Sequence, residues 1–341
     1  MTYHIPRPLI DATELDTLIS NPSHTPTNTP TNPPTNPPTN TLTNSLDDVL
    51  FVPERIGSGS FSNVYKCKIE DKRYAVKCIQ KDALKSHHRK QFLNEIQVLQ
   101  TANHPMMIQF VHAFQDTETI YIVTELLVCG DLFDYLASVT LKESQVIFYV
   151  ANVVMMLDHL HTNNIIYRDL KAENIVMMEN GYLKLIDFGF AKILEPDEKT
   201  RTILGTPGYI SPEIITGMGY SYPVDWWALG VFAYDIMFNS LPFGENLVEI
   251  LKLAKQPVEF PNDTRFGPKI TNFVSDLLRY EPDKRPTRFT IKSHPLFLDC
   301  GMNWDRLGLQ RVTPDHIPPK KRFSSAYIKY SEITMSQPFS A

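Results

Sequence analysis

The stretch that most constrains this chain is 167–174, Tyr-Arg-Asp-Leu-Lys-Ala-Glu-Asn, followed by an Asp-Phe-Gly tripeptide that begins at Asp187. It places an acid, a lysine, an amide and a second acid in a fixed order. Asp169 is suited to accept the proton of an attacking hydroxyl, and Lys171 is suited to hold a transferring phosphate. Asn174 and Asp187 offer the hard oxygen ligands that Mg²⁺ prefers. These residues predict phosphoryl transfer with magnesium, in which the protein supplies position and charge.

A third motif follows at 205–213, where the sequence is Gly-Thr-Pro-Gly-Tyr-Ile-Ser-Pro-Glu. An Arg-Asp pair or a lone Asp-Phe-Gly has little specificity, but the three motifs in this order are highly specific. On these residues the chain resembles the eukaryotic protein kinases. The resemblance implies an α+β, two-lobed fold, with an antiparallel β-sheet and one key helix in the small lobe and a mainly helical large lobe. It also implies ATP and Mg²⁺ as cofactors.

Composition and this resemblance divide the chain into four segments. Residues 21–44 are almost only Thr, Asn, Pro and Ser and offer nothing to bury, which predicts disorder. Before them, Asp11 and Glu14 resemble a capping box that begins either a transient helix or a helix that docks on the domain or a partner. The predicted segments are the disordered tail 1–46, the small lobe 47–125, the large lobe 126–298 and an AGC-type C-terminal tail 299–341.

Bulk properties argue against several classes of protein. The net charge of -5 is unlike that of a protein that coats nucleic acid, so no nucleic-acid partner is predicted. The chain has no run of about 18 apolar residues and no signal-peptide pattern at its start, so no membrane association is predicted. The four cysteines are scattered, which predicts reduced thiols and a cytoplasmic or nuclear location.

A glycine-rich stretch lies near the start of the predicted small lobe. Gly57 and Gly59 alone fit either a hairpin turn or half of a dinucleotide-binding fingerprint. The residues 64–69 that follow are typical of a strand, so strand-turn-strand is favoured over the strand-to-helix turn of a dinucleotide fold. Such a hairpin lays backbone N–H groups over phosphates. Ser62 stands where kinases usually have a third glycine, and we expect this change to be tolerated.

Lys77 lies in a predicted strand, and Glu95 lies in the helix that follows it. Taken alone, Lys77 fits a structural lysine at the rim of a sheet. A buried lysine needs a charged partner, and Glu95 lies beside the apolar stripe of Phe92, Ile96 and Leu99 on its own helix. The resemblance implies that Lys77 binds the α- and β-phosphates of ATP and that Glu95 holds Lys77.

The resemblance also implies the remaining contacts with ATP. Backbone groups of Glu125 and Leu127 bind the adenine edge, Asp131 reaches the ribose, and Thr124 is the small residue at the back of the pocket. The predicted ATP-binding residues are Ile56, Gly57, Ser58, Gly59, Ser60, Phe61, Ser62, Asn63, Val64, Ala75, Lys77, Glu95, Thr124, Glu125, Leu127, Asp131 and Val176.

Two long helices are predicted in the large lobe. Residues 144–161 carry an apolar face at helical spacing, and residues 224–237 are apolar nearly all round, which is typical of a central helix. His159 and His161 point away from each other on a helix, so no metal site is predicted there. Asp225 is predicted to brace the catalytic loop by accepting bonds from backbone N–H groups.

Several residues narrow the family. Tyr167 stands where most kinases carry histidine, and the sequences at 222–227 and 314–330 resemble the AGC group, with the greatest similarity to cyclic-AMP-dependent kinases. A cyclic-nucleotide-binding regulatory subunit is therefore a candidate partner. Arg201 stands where those kinases have a tryptophan that docks this subunit, and only Phe339 is present where the group has a Phe-x-x-Phe pair.

The resemblance implies supporting roles for residues of the third motif. Thr206 is expected to help position Asp169. Glu213 is expected to pair with Arg285 in a buried ion pair.

Thr202 falls at the position of the activation-loop phosphosite. A phosphate there adds a charge of about -1.5 to -2 and needs cations to receive it. Arg168 and Lys192 are the predicted cations, and Arg168 directly precedes the catalytic aspartate. A phosphate on Thr202 is therefore expected to order the loop and the catalytic aspartate together. The alternative is an ordinary loop threonine.

Charge predicts the substrate class. The resemblance implies that Asp131, Glu173 and Asp235 bind arginines upstream of the target hydroxyl, because carboxylates pair with arginine in a bidentate geometry. It also implies an apolar pocket for the following residue, lined by Ile203, Pro207 and Ile210. The predicted substrates are proteins with an Arg-Arg-x-Ser/Thr-apolar sequence. The alternative function is a catalytically weak pseudokinase that acts as a scaffold.

Overall fold

The structure is a computed structural model, and it describes residues 49–59, 62–69, 71–82, 86–115, 118–127 and 130–314. Among these residues the chain forms two compact units. Unit 1 holds the described residues up to Leu93 together with Phe110–Leu126, and unit 2 holds Asn94–Gln109 and the described residues from Leu127 onward. The predictions that lie outside the described residues concern the tail 1–46, Ser60, Phe61 and the C-terminal tail from residue 315 on.

Unit 1 contains a five-stranded antiparallel β-sheet with the strand order β1-β2-β3-β5-β4. Its strands are Val49–Gly59 (β1), Ser62–Ile69 (β2), Lys72–Gln80 (β3), Phe110–Gln115 (β4) and Thr119–Glu125 (β5). β-branched residues favour these strands, and Val64 and Val76 are fully buried. β1 and β2 form a hairpin in which Gly57 lies opposite Val64 and Gly59 lies opposite Ser62. The predicted glycine-rich hairpin is therefore confirmed.

The helix predicted after β3 is α1, which spans Ser86–Thr101. Phe92, Ile96 and Leu99, the predicted apolar stripe, are all buried. Glu95 is buried as well, with only 4% of its surface exposed. The glutamate beside the predicted stripe is therefore buried together with it.

Unit 2 is mainly helical in the part that the structure describes. Its helices are Leu132–Leu136 (α2), Glu143–Thr162 (α3), Pro212–Ile215 (α4), Pro223–Phe238 (α5), Leu247–Leu253 (α6), Pro268–Leu277 (α7), Pro295–Asp299 (α8) and Trp304–Gly308 (α9). Short 3₁₀ turns are formed by Ala172–Asn174, Pro282–Lys284 and Ile291–Ser293. The predicted helices 144–161 and 224–237 are confirmed as α3 and α5, each extended by one residue at both ends.

Helix α5 forms the centre of unit 2. It is buried along nearly its whole length and packs against α3 and α7. A glycine allows the contact with α7, because a Cβ atom at Gly230 would lie 2.9 Å from the Cβ atom of Leu277. Pro223 begins the helix, where its missing N–H costs no intrahelical bond.

Two small antiparallel sheets of two strands each hold the catalytic motifs within unit 2. They pair Ile165–Ile166 (β6) with Lys192–Ile193 (β9), and Ile175–Met177 (β7) with Leu183–Leu185 (β8). The stretch 167–174 runs from β6 to β7, and Asp187 follows β8. The loop that carries Asp169 is therefore fixed at both ends by buried strands.

Across the part of the chain that the structure describes, every helix is too short or too polar to traverse a lipid bilayer. Cys67 and Cys300 are free thiols. Burial raises the pKa of the Cys67 thiol to about 11, so this cysteine is unreactive near neutral pH.

Candidate active site

The catalytic loop is braced by a carboxylate of helix α5. Asp225 has no solvent exposure and accepts hydrogen bonds of 2.8 Å from the backbone N–H groups of Tyr167 and Arg168. The Nε2 atom of His161 lies 2.8 Å from the same carboxylate. Arg168 has a φ of 72°, a conformation that few side chains other than glycine adopt. The predicted bracing role of Asp225 is confirmed, and its bonds hold the strained residue that precedes Asp169.

Asp169, Lys171 and Thr206 form a closed hydrogen-bonded group. The Thr206 hydroxyl donates to Asp169 Oδ1 at 2.7 Å and accepts from Lys171 Nζ at 2.8 Å. Lys171 Nζ also lies 3.3 Å from Asp169 Oδ2. Asp169 and Lys171 are buried, so their charges interact at a lower effective dielectric constant than in water. The predicted contribution of Thr206 to the position of Asp169 is confirmed.

Asn174 presents a buried acceptor without a partner. Its Nδ2 group donates to the backbone oxygen and to Oδ2 of Asp169, both at 2.8 Å. Its Oδ1 atom is buried and accepts no hydrogen bond from the described residues. Such an atom costs about 1–3 kcal/mol unless something binds it. On the neighbouring strand end, Asp187 Oδ1 accepts the N–H of Gly189 at 2.9 Å. An amide oxygen and a carboxylate of this kind fit the oxygen ligands of Mg²⁺.

Tyr167 links the catalytic loop to the Asp-Phe-Gly motif. Its ring meets that of Phe188 edge-on at 5.8 Å, and both side chains are 1% exposed. Edge-on aromatic pairs of this type are favourable. The substitution of histidine by tyrosine at this position is thus accommodated by an aromatic contact in the core.

Glu213 and Arg285 form the predicted buried ion pair. Arg285 donates to Oε1 of Glu213 at 2.6 Å and to Oε2 at 2.9 Å, and its side chain has no solvent exposure. Its other N–H groups donate to the backbone oxygens of Arg279, Pro223 and Tyr280. The prediction is confirmed, and every N–H donor of the guanidinium is engaged.

Two of the predicted arginine-binding acids lie near each other in unit 2. The Tyr209 hydroxyl donates to Asp235 Oδ2 at 2.5 Å. Burial raises the pKa of the Asp235 carboxyl above its ordinary value; the Tyr209 bond opposes the rise, and the charge of Glu173 adds to it. Burial and the charge of Asp235 also raise the pKa of Tyr209 well above its ordinary value. Two carboxylates close to each other repel, so a cation beside them is favourable.

The other predicted substrate-binding residues differ in exposure. Ile203 is 62% exposed and Pro207 is exposed, whereas Ile210 is 7% exposed and packs into a core cluster that includes Tyr220. Asp131 caps α2 by accepting the N–H of Asp134 at 2.8 Å. The roles of these residues in substrate binding stay predictions.

The activation loop contains one contact that the sequence analysis did not predict. Thr202 is exposed, as a phosphosite must be. Lys192, one of the two predicted phosphate-binding cations, places its Nζ 2.5 Å from Oε1 of Glu198, and its role in binding a phosphate stays a prediction. Arg168 donates from Nε to the backbone oxygen of Phe190 at 2.6 Å. The prediction overlooked Glu198, an acid that lies closer in sequence to Lys192 than Thr202 does.

The predicted ATP-binding residues fall in both units, and each group is described within its own unit. In unit 1, Ala75 of β3 lies opposite Thr124 of β5, and both are buried. Lys77 of β3 places its Nζ 5.6 Å from the centre of the Phe92 ring. The other described members in unit 1 are Ile56, Gly57, Ser58, Gly59, Ser62, Asn63, Val64 and Glu125. The members in unit 2 are Glu95, Leu127, Asp131 and Val176. Their contacts with ATP stay predictions.

Sequence reasoning missed two contacts that shape the site. It did not connect Tyr209, which lies in a turn, with Asp235 of helix α5, although a tyrosine among the small residues of the motif 205–213 was a usable signal. It also did not connect Glu198 with Lys192. Three acids, Glu195, Asp197 and Glu198, follow Lys192 in that loop, and nothing in the sequence favours one of them as its partner.

The geometry agrees with the result of a family comparison. Residues 51–297 match the model of the protein kinase domain. This match covers more than half of the chain, so the chain belongs to the protein kinase family.

The chain is also similar to curated serine/threonine and cyclic-nucleotide-dependent protein kinases. A RAC family serine/threonine-protein kinase homolog of Dictyostelium discoideum is 33% identical over 275 residues, 78% of this chain and 61% of the relative. A cAMP-dependent protein kinase catalytic subunit of Arthrobotrys oligospora is 33% identical over 294 residues, 82% of this chain and 56% of the relative. A cGMP-dependent protein kinase of Toxoplasma gondii is 34% identical over 282 residues, 79% of this chain and 28% of the relative. The chain thus spans less than two thirds of the length of these relatives.

Proposed function

We propose that this chain is a protein serine/threonine kinase that transfers the γ-phosphate of ATP to serine or threonine hydroxyls. The observation that carries the proposal is the buried group formed by Asp169, Lys171 and Thr206, with the unpartnered oxygen of Asn174 beside it. The names of the relatives support it, since they are serine/threonine and cyclic-nucleotide-dependent protein kinases.

Each step of the phosphoryl transfer has a residue of this site to perform it. The substrate hydroxyl oxygen forms a bond to the γ-phosphorus while the bond from that phosphorus to the β–γ bridging oxygen breaks, and ADP leaves. Asp169 accepts the hydroxyl proton, with its carboxylate held in place by Thr206 and Asn174. Lys171, oriented by the Thr206 hydroxyl, places a positive charge beside the transferring phosphate.

Asn174 and Asp187 would hold Mg²⁺ through their side-chain oxygens. When bound, the ion neutralises charge on the β- and γ-phosphate oxygens. The orientation of Asn174 is fixed by its two bonds to Asp169, so the same amide connects the proposed base to the proposed metal ligand. The alternative of a pseudokinase scaffold would be favoured by loss of a residue of this set or of Lys77, and all of them are present.

The substrate class follows from the acidic pair. Glu173 and Asp235 supply two carboxylates, and Tyr209 fixes the orientation of one of them. Arginines upstream of the target hydroxyl would neutralise both charges in bidentate pairs. We expect Asp235→Asn to raise the KM for an Arg-Arg-x-Ser peptide by about 10- to 100-fold, since charged hydrogen bonds contribute about 1.5–3 kcal/mol. Peptide kinetics with Glu245→Gln, an exposed acid of the same unit, provide the control.

The raised pKa of Asp235 gives this site a pH dependence. A carboxyl group with a raised pKa takes up a proton at a higher pH than an ordinary aspartate does, so its negative charge is lost earlier on acidification. The KM for the arginine peptide is therefore expected to rise as the pH falls towards the acidic range, and Asp235→Asn is expected to flatten that rise. A KM profile that is the same in both proteins would contradict the assignment.

The proposed function is tested by transfer of labelled phosphate from Mg-ATP to a peptide library. Strong transfer to Arg-Arg-x-Ser/Thr-apolar peptides, absent in Asp169→Ala, is the expected result. If a cyclic-nucleotide-binding regulatory subunit inhibits the transfer and cyclic AMP restores it, that subunit is a partner of this chain. If the subunit does not change the transfer, it is not a partner. No transfer, even with phosphothreonine at position 202, would support the scaffold alternative.

A further inference from the structure

Hydrogen bonds and an ion pair within the chain hold the segment 192–202, which begins with β9, in a fixed conformation. Lys192 is fixed by the ladder between β9 and β6, where it lies opposite Ile166, the residue that immediately precedes the catalytic loop. Its Nζ lies 2.5 Å from Oε1 of Glu198. The second oxygen of that carboxylate accepts the backbone N–H of Glu195 at 2.9 Å. One carboxylate therefore closes the turn 195–198 and fastens it to the strand beside the catalytic loop.

A second tie lies further along the same segment. Thr200 and Tyr220 exchange two backbone hydrogen bonds of 3.0 and 2.9 Å. The Tyr220 hydroxyl donates to the backbone oxygen of Thr202 at 2.5 Å. Tyr220 belongs to the core cluster that contains Ile166. The Lys192–Glu198 pair and the bonds to Tyr220 therefore both connect this segment to the residue before the catalytic loop.

We propose that Glu198 is a positioning residue for phosphoryl transfer, whose carboxylate supplies at Lys192 the negative charge that a phosphate on Thr202 would otherwise supply. The inference rests on the proposed kinase function. It means that the segment 192–202 is held in order before Thr202 is modified. A phosphate on Thr202 then meets Arg168 but must compete with Glu198 for Lys192, so the gain in activity from that phosphate is small.

The expected size of the effect follows from the exposure of the pair. The side chains of Lys192 and Glu198 are 33% and 32% exposed, which places the pair between a surface and a buried ion pair. With Thr202 unmodified, Glu198→Gln is expected to lower kcat about fivefold, near the upper end for partly exposed pairs. With phosphothreonine installed at position 202, the same substitution is expected to leave kcat within about twofold, because the phosphate then engages Lys192.

The decisive measurement is the ratio of kcat with and without the Thr202 phosphate. That ratio should be about fivefold larger in Glu198→Gln than in the unsubstituted protein. The matched control is Glu195→Gln, which removes an exposed acid of the same turn and should leave the ratio unchanged. A purely structural role for Glu198 would lower kcat equally in both phosphorylation states, and that result overturns the proposal.

A readout that needs no activity separates this inference from the proposed function. Lys199 and Arg201 are exposed trypsin sites within the tied segment. In protein without the phosphate, Glu198→Gln should be cleaved faster after Arg201, and Glu195→Gln should not. Unchanged cleavage in Glu198→Gln overturns the inference even if the kinase is active. Faster cleavage in a chain with no transfer activity would support the tie and contradict only the kinase function.

Discussion

Asp169→Ala is expected to lower kcat for phosphoryl transfer by about 10²–10⁴-fold, the usual contribution of a positioned general base. The reason lies in the number of groups that hold this carboxylate. Thr206 and Asn174 donate to it and Lys171 pairs with it, so no other residue of the group is oriented to accept the substrate proton. The measurement is the initial rate of peptide phosphorylation at saturating Mg-ATP and peptide.

The control for this prediction must show that the alanine variant still folds. Removal of the carboxylate frees Lys171 and Thr206, which keep each other as partners, so we expect the thermal unfolding transition to change little. Asp305→Ala, at an exposed position of α9, should retain full activity. A rate for Asp169→Ala above about a tenth of the unsubstituted rate would contradict the assignment of the base.

The sequence predicted the parts of the site whose residue types are dictated by chemistry. Proton acceptance and magnesium binding need particular side chains, so the residue types of 167–174 and their resemblance to a kinase motif predicted Asp169 and Asn174. The buried position of Asp225 followed from an acid within an apolar helix, since such a carboxylate must find donors. The structure adds that those donors are the N–H groups of Tyr167 and Arg168.

The contacts that the sequence did not predict join residues that loops bring together, and local sequence patterns do not determine the conformation of those loops. Lys192 has several acids within reach along the chain, and only the turn closed by the N–H of Glu195 selects Glu198. In the same way, His104 and His159 lie with ring centroids 4.9 Å apart, although they are on separate elements of unit 2. Pairing of this kind depends on tertiary geometry, and local patterns do not determine it.

The fold of each unit was more predictable than its contacts, because the burial pattern is periodic. The glycines followed by the strand-type residues 64–69 predicted the hairpin of β1 and β2, and the nearly all-apolar stretch of α5 predicted a central helix. Asn94–Gln109 belongs to unit 2. The predicted lobe boundaries stay predictions.

Glu213→Gln is expected to lower the free energy of unfolding of unit 2 by about 3–5 kcal/mol, the cost of removing one partner from a buried ion pair. Glutamine keeps the size of the side chain but not its charge. Arg285 would then retain a full positive charge at a site with no solvent exposure. Its other donors contact backbone oxygens, which do not neutralise that charge.

Tryptophan fluorescence during denaturation by urea measures this effect in unit 2 alone, because the three tryptophans of the chain, Trp226, Trp227 and Trp304, all belong to that unit. The matched control is Asp299→Asn, which breaks a pair of similar length, 2.7 Å from Lys269, between side chains that are 58% and 49% exposed. Solvent screens such a pair, so its loss should cost no more than about 1 kcal/mol. If Glu213→Gln also costs less than about 1 kcal/mol, water or another carboxylate must neutralise the charge of Arg285. In that case the ion pair is not what holds the motif 205–213 against the core of unit 2.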